Sequence, residues 1–419
     1  MGYLPSNENA AERDASAGGS RSGEKPEQVR VAIIANASAP YRLATHRYVA
    51  ARIPEVKIYS VFTHEGTDQP WELGQCADVN PVHFGKGEGV HDQMRLVQQM
   101  HERRKAGRIL EWIESEGIRA VIISGYNDQG RLRLLQDCPA RGLLTFLSGD
   151  SNIRGDRRGW WRRVLKKMVL SDIAKRVTGV LPMGTNGVEY FLRYGFARER
   201  MHFFPLIPDL DLIRRCGPAE ASAAAARFGL DPDRRRLVFS GRLVRVKRVD
   251  LLLHAFERIA PERPRWDLVI VGDGPLRRKL ESLVPAGLRQ RVIWTGFQSR
   301  QEEVTAIYRN CDALVLPSEY ESWALVVIEA VAAGLAVVCS NVVGVAADLV
   351  HEGVNGRTFA SGSLEGLIES LRHVTDPARI DEYRAAAPRE LERWFRRFDP
   401  AAGLRGALEP LLTGAVKAR

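Results

Sequence analysis

The chain has 419 residues, 45% of them hydrophobic and 27% charged, which fits two domains with sizeable cores and excludes a disordered or fibrous protein. A net charge of +10 asks for an anionic partner: a nucleotide, a membrane surface or a nucleic acid. Five cysteines, an odd count with no Cys-x-x-Cys pair, point to a reducing compartment and away from a structural zinc site. Cys311 and Cys339 sit in apolar runs and read as buried.

Residues 1–28 are rich in Gly, Ser, Glu and Asn without an apolar core, and read as a disordered tail rather than a signal peptide. Strands are expected at 29–35, 56–62, 120–124, 143–147, 177–181 and 201–204, with helices over 41–52 and 91–116. The pattern then restarts, with strands at 237–240, 268–271, 292–295, 313–316 and 336–339. Helices lie near 249–259, 276–283, 300–309 and 324–333. Alternation of this kind makes an α/β protein with doubly wound parallel sheets, each Rossmann-like, and a ligand cleft between them. The expected division is a tail (1–28), a first domain (29–206), a second domain (207–381) and a helical C-terminal segment (382–419) that packs back on the first domain. Pro205 and Pro208 mark the hinge, and Pro388 and Pro400 are expected to break the last segment. The most membrane-like stretch, 324–339, is interrupted by Glu329 and Gly334 and reads as a buried helix and strand, so no transmembrane helix is expected.

Gly241-Arg242-Leu243-Val244-Arg245-Val246-Lys247 follows a strand and precedes a helix. Backbone N–H groups and the positive end of the helix dipole gather at such a turn, where Arg242 and Lys247 either add two cations able to hold a pyrophosphate or are solvated surface residues of a basic protein. Val271-Gly272-Asp273-Gly274-Pro275 reads as a tight turn near the cleft, with Pro275 at the first position of its helix. From Pro317 a polar loop containing Glu321 leads into an apolar helix that contains Glu329. A carboxylate in such a helix is costly without hydrogen bonds. Two carboxylates, one on a loop and one on a helix, could grip two parts of one long ligand; alternatively Glu321 caps the helix and Glu329 pairs with a local Arg.

These motifs, in order, resemble the C-terminal domain of the retaining GT-B-fold glycosyltransferases of glycosyltransferase family 4. The resemblance runs from about 237 to 376. It rests on Gly241-Arg242-Leu243 with Lys247, Val271-Gly272-Asp273-Gly274-Pro275, Thr295-Gly296-Phe297, Glu321 with Glu329, and Asp348-Leu349-Val350 followed by Gly353-Val354-Asn355-Gly356. It implies a GT-B architecture and a nucleotide-diphosphate-sugar donor, with no cofactor or metal required. Arg242 and Lys247 would bind the pyrophosphate, Glu321 the sugar hydroxyls and Glu329 the ribose. The backbone of Ser322, Trp323, Ala324 and Leu325 would reach the sugar and phosphate, and Gly241, Gly296 and Phe297 would complete the donor site. Two departures stand out: Ser322-Trp323-Ala324 where the family usually has Ser-Phe-Gly, and Lys247-Arg248 where it usually has Lys-Gly. The first is expected to reshape the sugar pocket.

The first half resembles the family loosely. Tyr41, Arg42 and Asp150 are its acceptor-side candidates, although Asp150 also suits a helix N-cap. His46 and His202 read as packing residues. The pairs Asp209/Asp211 and Asp231/Asp233 read as turns or caps rather than metal ligands. The basic segment 154–176, with Trp160, Trp161, Arg162, Arg163, Lys166 and Lys167, reads as a cationic amphipathic helix suited to an anionic membrane surface or a lipid-linked acceptor, or as a solvated face. No nucleic-acid motif accompanies the charge. The expected function is retaining transfer of a sugar to a saccharide or lipid-linked acceptor in cell-envelope polysaccharide or glycolipid synthesis. It would take place in the cytoplasm or at the inner face of the membrane. A nucleotide-sugar epimerase or hydrolase, or a non-catalytic binding subunit, is the alternative.

Overall fold

The computed structural model describes residues 28–65, 77–89, 98–156 and 159–415. The expected tail, apart from Gln28, lies outside these residues, as do Cys76, residues 91–97, Arg157, Arg158 and the last four positions.

The β-branched runs form strands because both faces of each can be buried. In the first half, β1 (Val29–Ala35), β2 (Val56–Phe62), β3 (Val82–His83), β4 (Ala120–Ser124), β5 (Leu144–Gly149) and β6 (Gly179–Pro182) form a sheet in the order β3-β2-β1-β4-β5-β6. In the second, β7 (Arg235–Ser240), β8 (Trp266–Val271), β9 (Val292–Gly296), β10 (Ala313–Leu316), β11 (Ala336–Ser340) and β12 (Gly356–Phe359) follow the order β12-β11-β10-β7-β8-β9. Every pairing between these strands is parallel. The two doubly wound sheets are those expected from the sequence. Each changes direction at its first strand, between β1 and β4 and between β7 and β10. Loops leaving the carboxyl ends of strands at such a point diverge and open a crevice.

Some elements differ from expectation. Residues 201–204 do not form a strand: Met201 makes a single bridge to Val180, and the segment runs extended beside β6 until Pro205, which has no N–H, ends the pairing. β3 and β12 were not foreseen, because two and four residues are too short for a periodic apolar run. Pro388 does not break the C-terminal segment; the helix runs through it from Ile380 to Phe398. The proline lies on the exposed face, while Tyr383, Ala387, Leu391 and Trp394 bury the other side in the core of the second half, and that packing outweighs the missing hydrogen bond. The last helix, Pro400–Leu412, starts at Pro400 with Asp399 as its N-cap. Its Ala401, Leu404, Ala407 and Leu408 share a core with Val31 and Ile33 of β1. The C-terminal segment therefore divides between the two halves.

Candidate functional site

Three turns meet backbone to backbone at the carboxyl edge of the second sheet. Gly241 N–H donates to the Val271 carbonyl at 2.9 Å, Leu243 N–H to the Asp273 carbonyl at 2.9 Å, and Gly272 N–H to the Gly296 carbonyl at 2.8 Å. A Cβ on Gly272 would lie 2.1 Å from the Gly241 oxygen, and one on Gly274 2.6 Å from the Leu243 oxygen. The glycines of the second turn thus let it pass beneath the first. Pro275 is not the first helical residue, since the helix is Arg277–Leu283 with Leu276 as its cap.

β7 and β10 flank the switch point, and the two charged motifs leave from their ends. Lys247 Nζ forms an ion pair with Glu321 Oε2, and Ser318 Oγ donates to the same oxygen at 3.3 Å. Glu321 is therefore not a helix cap. Arg242 is exposed at the rim. The helix after Glu321 runs from Leu325 to Ala332. Among the described residues, the amides of Ser322, Trp323, Ala324 and Leu325 donate to no backbone acceptor, and those of Ala324 and Leu325 lie at the helix N-terminus, where N–H groups lack intrahelical partners. The Trp323 side chain turns away: it is 5% exposed, and its Nε1 donates to the Leu206 carbonyl at 3.0 Å.

Both departures from the family pattern fall on unusual backbone. Arg248 has φ +50° and Ala324 φ +76°; besides Asn80 they are the non-glycine residues with positive φ among those described. Glycine takes this conformation without a steric penalty. Arg248 is held there by Asp250 at 3.2 Å and by Glu319.

Glu329 is buried, and no arginine pairs with it among the described residues. Burial raises its carboxyl to about 7, with the Gln301 amide pulling the other way. Glu329 lines a cavity of about 530 Å³ between the halves, together with Gly241, Arg242, Phe297 and Leu325 from the second half and Pro40, Tyr41 and Ala44 from the first. Gly296 is not on its wall; with φ +74° it makes the turn that presents Phe297.

The first half reaches the Glu321 loop through side chains. Asp150 Oδ2 accepts from Ser322 Oγ at 2.8 Å. It is not an N-cap, because the next helix, Trp160–Arg176, is capped by Gly159. Asn152, buried, donates from Nδ2 to the carbonyls of Glu321 at 3.0 Å and Ser322 at 2.9 Å. Asn186 donates to the Gly344 carbonyl at 3.3 Å, and the Thr185 amide to Asp348 Oδ2 at 2.9 Å. Asn152, Thr185 and Asn186 were not singled out in the sequence; no local pattern marks a partner more than 150 positions away. Tyr41 stands on the cavity wall, with the Arg42 guanidinium 5.6 Å from its ring.

The remaining candidates are structural. His46 is buried against Ser60 at 2.7 Å and pushed down to about 3, mainly by burial, so it stays neutral. Burial lowers His202 as well. Asp209 caps the helix Leu210–Arg215, and Asp231 accepts from the Asp233 amide at 2.9 Å. His64, Glu88 and Glu102 come together in the first half, but Lys105 Nζ bridges the two carboxylates, 2.9 Å from Glu102, and so supplies the cation itself.

Residues 222–387 match the family model described as glycosyl transferases group 1. The chain is 33% identical over 196 residues to a D-inositol 3-phosphate glycosyltransferase of Rhodococcus opacus, covering 45% of this chain and 43% of that protein. It is 32% identical over 193 residues to the alpha-D-kanosaminyltransferase of Streptomyces kanamyceticus, covering 45% and 49%. The alignments thus span less than half of each relative. Among solved structures, sucrose-phosphate synthase from Thermosynechococcus elongatus superposes with a TM-score of 0.71 at 18% identity, covering 93% of this chain and all of that one. An Anabaena protein in complex with UDP and glucose superposes with a TM-score of 0.68 at 15% identity, covering 92% and all of that chain. The architecture is GT-B.

Proposed function

We propose, from the glycosyl transferases group 1 domain in its second half, that the chain moves a sugar from a nucleotide-diphosphate sugar to a saccharide or lipid-linked acceptor, with retention at the anomeric carbon. The observation that carries this is that Arg242, Phe297, Leu325 and the buried Glu329 line one inter-domain cavity, while Lys247 and Glu321 pair on the loops that leave β7 and β10. In this reading the base lies by Phe297, the ribose hydroxyls donate to Glu329, and the phosphates take Arg242, Lys247 and the amides of 322–325. The sugar hydroxyls take Glu321, and Asp150, bonded to Ser322, marks the acceptor side. The neighbouring D-inositol 3-phosphate glycosyltransferases and the Anabaena complex with UDP and glucose support a nucleotide-sugar donor.

Bond breaking at the anomeric carbon leaves negative charge on the departing diphosphate. Fixed cations and N–H groups stabilise it most when they are aimed before the reaction. Arg242, Lys247 and the helix amides fill that role without a metal in this reading. The Lys247–Glu321 pair keeps both groups compensated until the donor arrives; then Lys247 turns to phosphate and Glu321 to the sugar. Cell-envelope polysaccharide or glycolipid synthesis in the cytoplasm, with an anionic membrane surface met through 154–176, completes the proposal.

Thermal unfolding with UDP-, GDP- and ADP-sugars tests it. A donor at about 100 times its Kd adds about 2.7 kcal/mol of stability. Glu321→Ala should keep nucleotide-diphosphate binding and lose at least about 100-fold in transfer, roughly 2.7 kcal/mol of transition-state stabilisation. Near-normal turnover in that variant would overturn the role of Glu321, and no nucleotide binding would overturn the reading as a whole. Release of the sugar without an acceptor product would mark a hydrolase.

A further inference from the structure

Of the nine exposed large hydrophobic side chains among the described residues, six lie on the first ten positions of one helix: Trp160, Trp161, Val164, Leu165, Met168 and Val169. Trp160 is 77% exposed and Met168 67%. Single exposed apolar residues need no explanation; six on one element do.

At about 100° per residue, these six occupy one half of the helix, and Arg162, Arg163, Lys166 and Lys167 the other. The helix is amphipathic, but turned the wrong way for a soluble protein. Lys166, on the cationic half, faces inward, with its ammonium 3.4 Å from Asp156 and over the rings of Tyr190 and Tyr194 at 4.5 and 5.1 Å. Further along, Leu170, Ile173 and Ala174 are buried in the core of the first half. They lie on the same side of the helix as the cations. The apolar half of the first ten residues therefore points away from the protein.

We infer that this outward face inserts into the interfacial layer of an anionic lipid bilayer, with Trp160, Trp161, Leu165 and Met168 below the headgroups. Arg162 and Lys167 lie at the two edges of the apolar half, where long cationic side chains reach lipid phosphates. Arg162 already packs over the Trp161 ring, at 4.9 Å. A second copy of the chain is a poorer occupant. Two-fold packing of this face on itself would bring the same cations together along its rim. The helix follows the loop that carries Asp150 and Asn152 to the donor loop, so the seated face lies close in sequence to the acceptor side of the cleft. The membrane contact deepens the acceptor half of the proposed function and rests on it for its purpose, but its test needs no turnover.

The test is co-flotation of the full chain with vesicles of phosphatidylglycerol and phosphatidylcholine in equal parts, and with phosphatidylcholine alone. Binding is expected to the first and to weaken with salt. Trp160→Ser with Leu165→Ser and Met168→Ser should lower partitioning at least about tenfold. Arg162→Glu with Lys167→Glu should remove the preference for anionic lipid. All of these positions are exposed, and nucleotide-diphosphate binding by each variant reports an intact fold and separates this result from failure of the donor reading. No flotation with anionic vesicles overturns the inference. So does flotation that the apolar triple variant leaves unchanged, or a solution dimer that the triple variant dissolves.

Discussion

The two sheets share one strand order but meet the cleft by different means. In the second half the turns after β7, β8 and β9 touch backbone to backbone, with glycine where any side chain would collide. In the first half Asn152 and Asn186 reach across by side chain to carbonyls of the other half, Asp150 accepts from the Ser322 hydroxyl, and Thr185 meets the Asp348 carboxylate with its hydroxyl as well as its amide. Backbone contact admits little variation, because the neighbour at fault in a substitution is main chain and cannot swing aside. Side-chain contact is adjustable. The second half should therefore be intolerant of substitution at these turns and the bridging side graded.

The largest effect is expected where backbone meets backbone. Gly272→Ala sets a Cβ 2.1 Å from the Gly241 oxygen at a φ of +127°. Strain and overlap together should cost about 3 kcal/mol or more, read from urea midpoints. Gly287→Ala, where a Cβ meets nothing within 4 Å, is the control and should stay within about 0.5 kcal/mol. Equal effects at the two positions would remove the distinction.

The next effect comes from the buried carboxyl. Glu329 titrates at about 7 when folded, against 4.5 unfolded. A raised folded value means that the stability tied to the protonated form is full below pH 4.5 and is lost as pH rises to about 7. The loss is on the order of 3 kcal/mol, and Glu329→Gln should flatten the stability profile in that window. Ribose hydroxyls donating to this group favour its ionised form, so nucleotide binding near pH 7 should release a proton. Calorimetry in buffers of different ionisation heat measures that release. Absence of any buffer dependence would place the ribose elsewhere.

On the graded side, Asn152→Ala removes two hydrogen bonds to the Glu321 and Ser322 carbonyls, about 1 kcal/mol each. With Arg242 and Lys247 untouched, nucleotide-diphosphate affinity should hold while kcat/KM for transfer falls about tenfold. A variant that lost affinity as much as turnover would show that the first half holds the donor, not only the loop.

The contrast also explains what could be read from residues alone. Gly272 and Gly274 are legible because a backbone crossing leaves glycines at a fixed offset from a strand, Gly241 and Gly296 because a turn at positive φ selects glycine, and Glu329 because a carboxylate inside an apolar helix is conspicuous. Asn152 and Asn186 are not legible, since an asparagine after a strand looks the same whether it faces water or another domain. Pro388 misled because propensity is local, whereas the helix through it is held by Trp394 and Leu391 in a distant core. The segment 154–176 was legible as basic and amphipathic, but not as inverted, because direction relative to the core is a tertiary fact.

The smallest effect bears on the two places where the second half breaks its own rule. Ala324 and Arg248 hold positive φ without being glycine, at about 1–2 kcal/mol each. Ala324→Gly relieves that strain, but the freer unfolded chain takes back about 0.5–1 kcal/mol, and the loss of a buried methyl takes back a similar amount. The net change should lie within about 1 kcal/mol of zero. Arg248→Gly relieves the same strain and loses the pairs with Glu319 and Asp250, which are partly exposed and worth about 0–1 kcal/mol, so its net change should lie near zero. Arg248→Ala keeps the strain, loses the pairs and should be the least stable of the three. If Ala324→Gly were instead destabilising by more than about 1 kcal/mol, the methyl would be a packing element of the helix start. The turn before Leu325 would then be held by side-chain contact, as the bridging half is, and not by backbone geometry alone.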